Sequence, residues 1–150
     1  MKKLILFTTF ILSFIAVIAQ KKNELSPSQV PAEVTASFHK DFPTAEIKNW
    51  EKEGGSYEAT FQVGNTNMSA IYGKSGYRKE TEKDIEETKL PLSVFDYIKN
   101  NFSGYKIKNA SQIITDKAVT TYEVEINKDN KTEGLIFDSN GKFKKKEKGD

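Results

Sequence analysis

The pentapeptide Tyr57-Glu58-Ala59-Thr60-Phe61 returns sixty-five residues later as Tyr122-Glu123-Val124-Glu125-Ile126, and this echo limits the possible folds more than any other feature of the chain. Tyr57, Ala59 and Phe61 fall on one side of an extended segment, with Glu58, Thr60 and Gln62 on the other. In the second copy Tyr122, Val124 and Ile126 oppose Glu123 and Glu125. A period of two with this division belongs to a strand in a sheet that has one buried and one wet face.

The flanking residues extend the repeat. From Pro31 to Phe42 the apolar residues Val34, Phe38 and Phe42 recur every fourth position, which stacks them along one helix face, and Pro43 stops the helix. Leu90-Pro91, Val94, Ile98 and Phe102 repeat this pattern sixty residues on. Extended segments follow at Ala45–Lys52 and Tyr105–Thr115, with Ile47 and Ile107 still sixty apart. The offset then grows to sixty-five, so the second copy carries five extra residues near Asp116-Lys117-Ala118, where the first has Gly54-Gly55. Hairpin sequences at Gly73–Gly76 and Asp138–Gly141 lead into last strands at Tyr77–Thr81 and Lys142–Lys146. The expected fold is α+β, two tandem units over residues 30–83 and 84–150, each one helix followed by a four-stranded antiparallel sheet with the helix packed on one sheet face. Helices of this length are marginal alone, so each must pack its apolar stripe onto its sheet.

The first nineteen residues differ in kind. Lys2 and Lys3 precede an apolar run from Leu4 to Ile18 that ends near small Ala16 and Ala19, the order of a secretory signal peptide cleaved before Gln20; an uncleaved membrane anchor is the other reading. Residues 20–29 have little to bury and read as a flexible leader. The chain has 23 Lys and Arg against 21 Asp and Glu. The excess of two is Lys2 and Lys3, so the exported part is formally neutral and gives no argument for nucleic acid or an anionic membrane as partner. Cysteine is absent, so the apolar core must stabilise the exported chain without disulfides.

These residues resemble the PepSY-like family of exported bacterial proteins. The resemblance rests on a duplicated unit that opens with Val30-Pro31 or Leu90-Pro91, a short helix ending in Phe42-Pro43 or Phe102-Ser103, a strand carrying Trp50, the Tyr-Glu strand, and a hydrophobic-Gly hairpin. It covers nearly all of residues 28–147. It implies a fold similar to the secreted β-lactamase-inhibitor protein, whose tandem helix-and-sheet units present a sheet surface to a partner. The broader PepSY family is associated with secreted peptidases and is thought to restrain them. The second copy departs from the pattern, with Ala110 in the place of Trp50 and Ser103 in the place of Pro43.

Catalysis finds few candidates. The one histidine, His39, sits beside Phe38 and reads as a surface residue; there is no cysteine, and no serine lies in a strained strand-to-helix turn. Glu123 and Glu125 could do acid–base work, but alternation on a wet strand face explains them more cheaply. Asp129 with Asn130, and Asp138 with Asn140, offer oxygen ligands of the kind calcium accepts, yet their spacing does not match a calcium loop and turn chemistry accounts for both. Lys142, Lys144, Lys145, Lys146 and Lys148 read as protection of an exposed sheet edge rather than a site for an anionic partner.

Ile71 and Ile136 share one repeat position and point to the side that the glutamates mark as wet. Trp50, by strict alternation from Ile47, points the same way. Together Trp50, Ile71 and Ile136 would form a charge-rimmed apolar patch fit to bind protein, unless sheets or loops cover them as a second layer of core. The reading is therefore an exported, non-enzymatic binding module of the periplasm or envelope. It takes an envelope protein as partner, needs no cofactor, and regulates or inhibits a peptidase or another envelope enzyme through its sheet face. The alternative is a periplasmic sensor of calcium or a small ligand.

Overall fold

The structure, a computed structural model, describes residues 23–148. The expected signal peptide, residues 20–22 of the expected leader and the last two residues lie outside the described part. Nine strands form one antiparallel sheet in the order β1 to β9: β1 (Glu24–Leu25), β2 (Glu46–Glu53), β3 (Ser56–Val63), β4 (Thr66–Gly73), β5 (Arg78–Asp84), β6 (Lys106–Thr115), β7 (Thr120–Lys128), β8 (Lys131–Asp138) and β9 (Phe143–Lys148). Helix α1 (Ala32–Asp41) precedes β2 and helix α2 (Leu92–Asn101) precedes β6. The repeat is therefore real, but the expectation of two units each with its own four-stranded sheet is overturned. The described part is mostly strand, with two α-helices on one continuous sheet.

The second copy carries five residues more than the first between its first two long strands. Measured against the repeat, they lengthen β6 by two residues, its following turn by two and the start of β7 by one. β6 joins the units by pairing with β5 over residues 111–115, Glu80 opposite Thr115, Thr81 opposite Ile114 and Glu82 opposite Ile113, while its residues up to Ile114 also pair with β7 on the other side. The seam between the units thus lies at the end of the expected extended segment Tyr105–Thr115. A second difference lies in the expected leader, where Glu24 and Leu25 pair with Glu51 and Trp50 as a short edge strand.

Both helices lie on the same side of the sheet. Val34 and Phe38 of α1 are fully buried over Trp50, Ala59, Phe61, Ala70 and Tyr72. Val94 and Ile98 of α2 lie over Ala110, Val124, Ile126, Leu135 and Phe137. The two cores fill the same space differently. In the first, Phe38 is the hub, its ring 5.4 Å from Trp50 and 4.9 Å from Phe61. Ile98 and Ala110 are smaller in the second, where Tyr97 stacks on Phe143 at 4.5 Å and meets Phe137 at 5.6 Å. Tyr97 and Phe143 replace Ser37 and Arg78 of the first unit, so volume lost at two positions is regained at two others.

A β-bulge corrects the expected place of Trp50. Ile47 pairs with Phe61 and Trp50 with Ala59, so three residues of β2 span two of β3, and the extra residue near Asn49 reverses the alternation. Trp50 thus shares the helix face with Ile47 and is only 3% exposed, packed against Phe38. The second unit repeats the bulge between Ile107 and Asn109, which turns Ala110 toward α2.

Candidate functional site

Among the described residues no helix packs on the other face of the sheet, and this open face carries the second row of the repeat. Glu58 of β3 stands opposite Ile71 of β4, which stands opposite Glu80 of β5. Sixty-five residues on, Glu123 of β7 stands opposite Ile136 of β8, which stands opposite Lys145 of β9. Between these rows run Ser69, Glu82 and Ser111 on β4, β5 and β6. A cavity lined by Glu58, Ser69, Glu82, Ser111, Glu123 and Glu125 spans the seam.

The wet face expected from alternation is not wet at its centre. Glu58 is 6% exposed and Glu123 7%, while Ile136 is 5% and Ile113 2% exposed on the same face. Ile71 is half-buried. Long neighbouring side chains on adjacent strands shield one another there, because each residue has a cross-strand neighbour within about 5 Å on both sides. Burial therefore overturns the reading of Glu123 as a solvated strand residue. Glu125 beside it is half-buried and takes a salt bridge from Lys108 at 3.0 Å.

The electrostatics follow from that burial. Desolvation pushes Glu58 up to about 7; the Ser69 hydroxyl offsets part of this by donating to the carboxylate, and the charges of Glu82, Glu51 and Glu53 add to the rise. Desolvation also lifts Glu82 to about 7 against a hydrogen bond from Ser111. Glu123 rises furthest, to about 8, through desolvation and the charges of Glu82, Glu147 and Glu125, with Lys145 opposing. Three carboxyl groups at the middle of the sheet are thus poised to gain or lose protons near neutrality.

The proposed patch splits. Ile71 and Ile136 lie on the open face, whereas Trp50 belongs to the helix-side core. Ile113, which sequence reasoning passed over, joins the two isoleucines on the open face. It lies in the expected extended segment Tyr105–Thr115 but stands sixty residues after Glu53, so the repeat offered no apolar counterpart to mark it.

The candidate calcium positions are not brought together. Asp129 lies in the turn before β8 and Asp138 at the far end of that strand, roughly 25 Å away by the rise of an eight-residue strand. The Asp138 carboxylate accepts the backbone N–H groups of Asn140 (2.9 Å) and Lys142 (3.0 Å). Among the described residues, no three His, Asp or Glu side chains converge as a metal site. His39 is exposed on α1 with its ring edge-on to Phe38, 5.6 Å away. The lysine-bearing β9 is an edge strand, where Lys146 pairs with Glu133 at 2.8 Å and Lys145 pairs with Glu147.

The fold has known counterparts. A DUF2874 family protein from Bacteroides uniformis superposes with a TM-score of 0.70 at 20% identity, covering 78% of this chain and 88% of that one. A Bacteroides eggerthii protein, described as one of the "putative periplasmic proteins", gives 0.71 at 18% identity over 79% of this chain and 88% of its own. A BLIP-like protein from Bacteroides fragilis gives 0.63 at 21% identity over 84% and 91%. At these identities the likeness concerns fold. Among curated proteins, none matches this sequence. The sequence pattern described as "Putative beta-lactamase-inhibitor-like, PepSY-like" matches residues 16–77 and again 55–145, two overlapping regions. With most of its length so matched, the chain belongs to the PepSY-like family.

Proposed function

We propose that this chain is an exported binding module of the periplasm that takes an envelope protein on the open face of its sheet and thereby regulates or inhibits that protein. The observation that carries the reading is the make-up of that face: half-buried Ile71, with Ile113 and Ile136 largely covered by neighbouring side chains, set among buried and half-buried carboxylates, with no helix packed over them among the described residues. An apolar centre inside a polar rim is the usual anatomy of a protein interface. The family's description as beta-lactamase-inhibitor-like and the BLIP-like and periplasmic descriptions of the structural counterparts support the same direction. The basic and apolar order of residues 1–19 supports export.

The module works by binding rather than by catalysis in this reading. Its carboxylates have no histidine or cysteine beside them to form a nucleophilic pair, since the one histidine is on α1, on the other side of the sheet. Crosslinking in cells tests the proposal. A photoreactive residue at Ile71 is expected to capture a specific envelope protein, and one at Leu92, exposed on α2, is not. Purified chain should then lower the activity of the captured protein if that protein is an enzyme. Capture from Leu92 alone, or equally from both sites, would remove the open face from consideration.

A further inference from the structure

The repeat allows one groove to be compared with its own copy. Strand β1 runs beside β2 for two residues, Glu24 opposite Glu51 and Leu25 opposite Trp50, and then stops. It cannot continue, because the Ser26 N–H is taken by the Gln29 side chain at 2.8 Å and Pro27, which opens a 3-10 turn, has no N–H to give. Glu46, Ile47, Lys48 and Asn49 of β2 therefore have no strand beside them on that side among the described residues. The space left is a groove of about 620 Å³, walled by Leu25 and Pro27, by Thr35 and His39 of α1, and by Ile47 and Trp50 of β2.

Sixty residues on, Ile85 stands for Leu25, Ile107 for Ile47 and Phe95 for Thr35. The second unit thus has an aromatic ring at this place, and Phe95 packs on its core together with Ile85 and Ile107. The first unit has a threonine there, whose hydroxyl donates to the Pro31 carbonyl of its own helix at 3.3 Å. The effect shows in Ile47, which is 36% exposed where Ile107 is half-buried. Trp50, larger than Ala110, is buried at the floor, yet the groove beside it stays open.

Two features define what fits. The slot between Leu25, Thr35 and Ile47 is the place where the copy has a phenylalanine, and an aromatic ring brings a large apolar area to such a slot. Glu24 and Lys48 bring one charge of each sign to the lining, so a neutral group is matched. Beside the slot, the free edge of β2 offers backbone N–H and C=O groups to a further strand. An extended peptide uses such an edge while its alternate side chains enter pockets. We propose that this groove is a binding site for an extended peptide segment, which adds to the edge of β2 at residues 46–49 and seats a phenylalanine side chain between Leu25, Thr35 and Ile47. The groove is at the β1 end of the sheet, against α1, so it stands or falls separately from the open face.

Trp50 is the single tryptophan of the chain and lines the groove, so its emission reports occupancy. The probe is the peptide Ser-Thr-Phe-Thr-Ser, acetylated and amidated at its ends and titrated into the exported chain. A saturable change in Trp50 emission is expected. The same peptide with alanine in place of phenylalanine should bind at least ~10-fold more weakly, since the apolar area of the ring is lost. N-acetyl-phenylalanine amide, which has the ring without the strand, should also bind at least ~10-fold more weakly. Thr35→Phe copies the second unit; it should abolish the response and raise the Tm by ~2 °C or more as the groove is filled. No saturable response in the unaltered chain, equal binding of the alanine peptide or of the single amino-acid amide, or a full response in Thr35→Phe would each overturn the site. Should Thr35→Phe lower the Tm instead, Ile47→Ser at the exposed lip decides. It should weaken the probe at least ~5-fold, and unchanged affinity would overturn the proposal.

Discussion

Glu58 and Glu123 hold the same place in two copies of one strand, and each is an acid buried near the centre of a sheet. Their burial links charge to stability. Folding raises Glu123 from an ordinary glutamate value near 4.5 to about 8, and Glu58 and Glu82 to about 7. The folded state therefore holds these protons more tightly than the unfolded chain, so their stabilising effect is complete below about pH 4.5 and is lost as pH rises through 7 to 8. Thermal denaturation should give a Tm about 5–10 °C lower at pH 9 than at pH 5, the change that roughly 2 kcal/mol produces in a domain of this size. The groups facing Glu123 are Glu82, Glu125, Glu147 and Lys145, and Lys145 opposes the trend only in part. Glu123→Gln should flatten the Tm profile between pH 5 and 9; a profile as steep as before would place the charge penalty elsewhere. None of this was legible in the local pattern, since a glutamate on an alternating strand reads as solvated until the neighbours on both sides are known.

At the scale of elements, each helix is held near its start by the last hairpin turn of its own unit. Gly141 has φ +76°, and a Cβ there would strike Ser93 and come within 2.8 Å of Pro91 at the start of α2. Gly76, its repeat partner, has φ +79° and would strike Glu33 of α1 at 2.5 Å. These turns were readable from Gly76 and Gly141 alone, but their contact with the helices was not. Gly141→Ala combines a left-handed backbone with a clash and should cost at least ~2 kcal/mol. Gly64→Ala is the control, for Gly64 has φ +58° with nothing within 4 Å of its Cβ, and it should cost only about 1 kcal/mol. Urea midpoints for the two variants check the difference; equal losses would mean that the turn does not brace the helix. The β2 bulge is the opposite case. Helix positions Val34 and Phe38 followed plainly from their spacing, while the single added residue near Asn49 left no mark in composition and moved Trp50 to the other face. Local alternation gives the right answer only between bulges.

The whole molecule depends on the seam. Ile113 on the open face and Ile114 on the helix face pair with Glu82 and Thr81, and these contacts join two units that could otherwise be separate. A fragment of residues 84–150 lacks nearly all of β5, leaving β6 as an open edge and uncovering Ile113, now 2% exposed. Its melting, followed by circular dichroism, should begin at least ~10 °C below that of the full exported chain and be less cooperative, since part of the buried area and one full ladder of hydrogen bonds are gone. Melting as sharp and as high as the full chain would show the second unit to be self-sufficient. The sequence by itself determined what depends on near neighbours: the duplication, the helix stripes, the hairpins, the alternation and the family pattern, all of which are set by residues a few positions apart. Tertiary structure decided what depends on residues far apart in the chain. It joined the two units through the β5–β6 seam, moved Trp50 into the core through a bulge, and brought Glu58 and Glu123, sixty-five residues apart, to one face of the sheet. Strand pairing and burial are collective properties, and no stretch of sequence contains them alone.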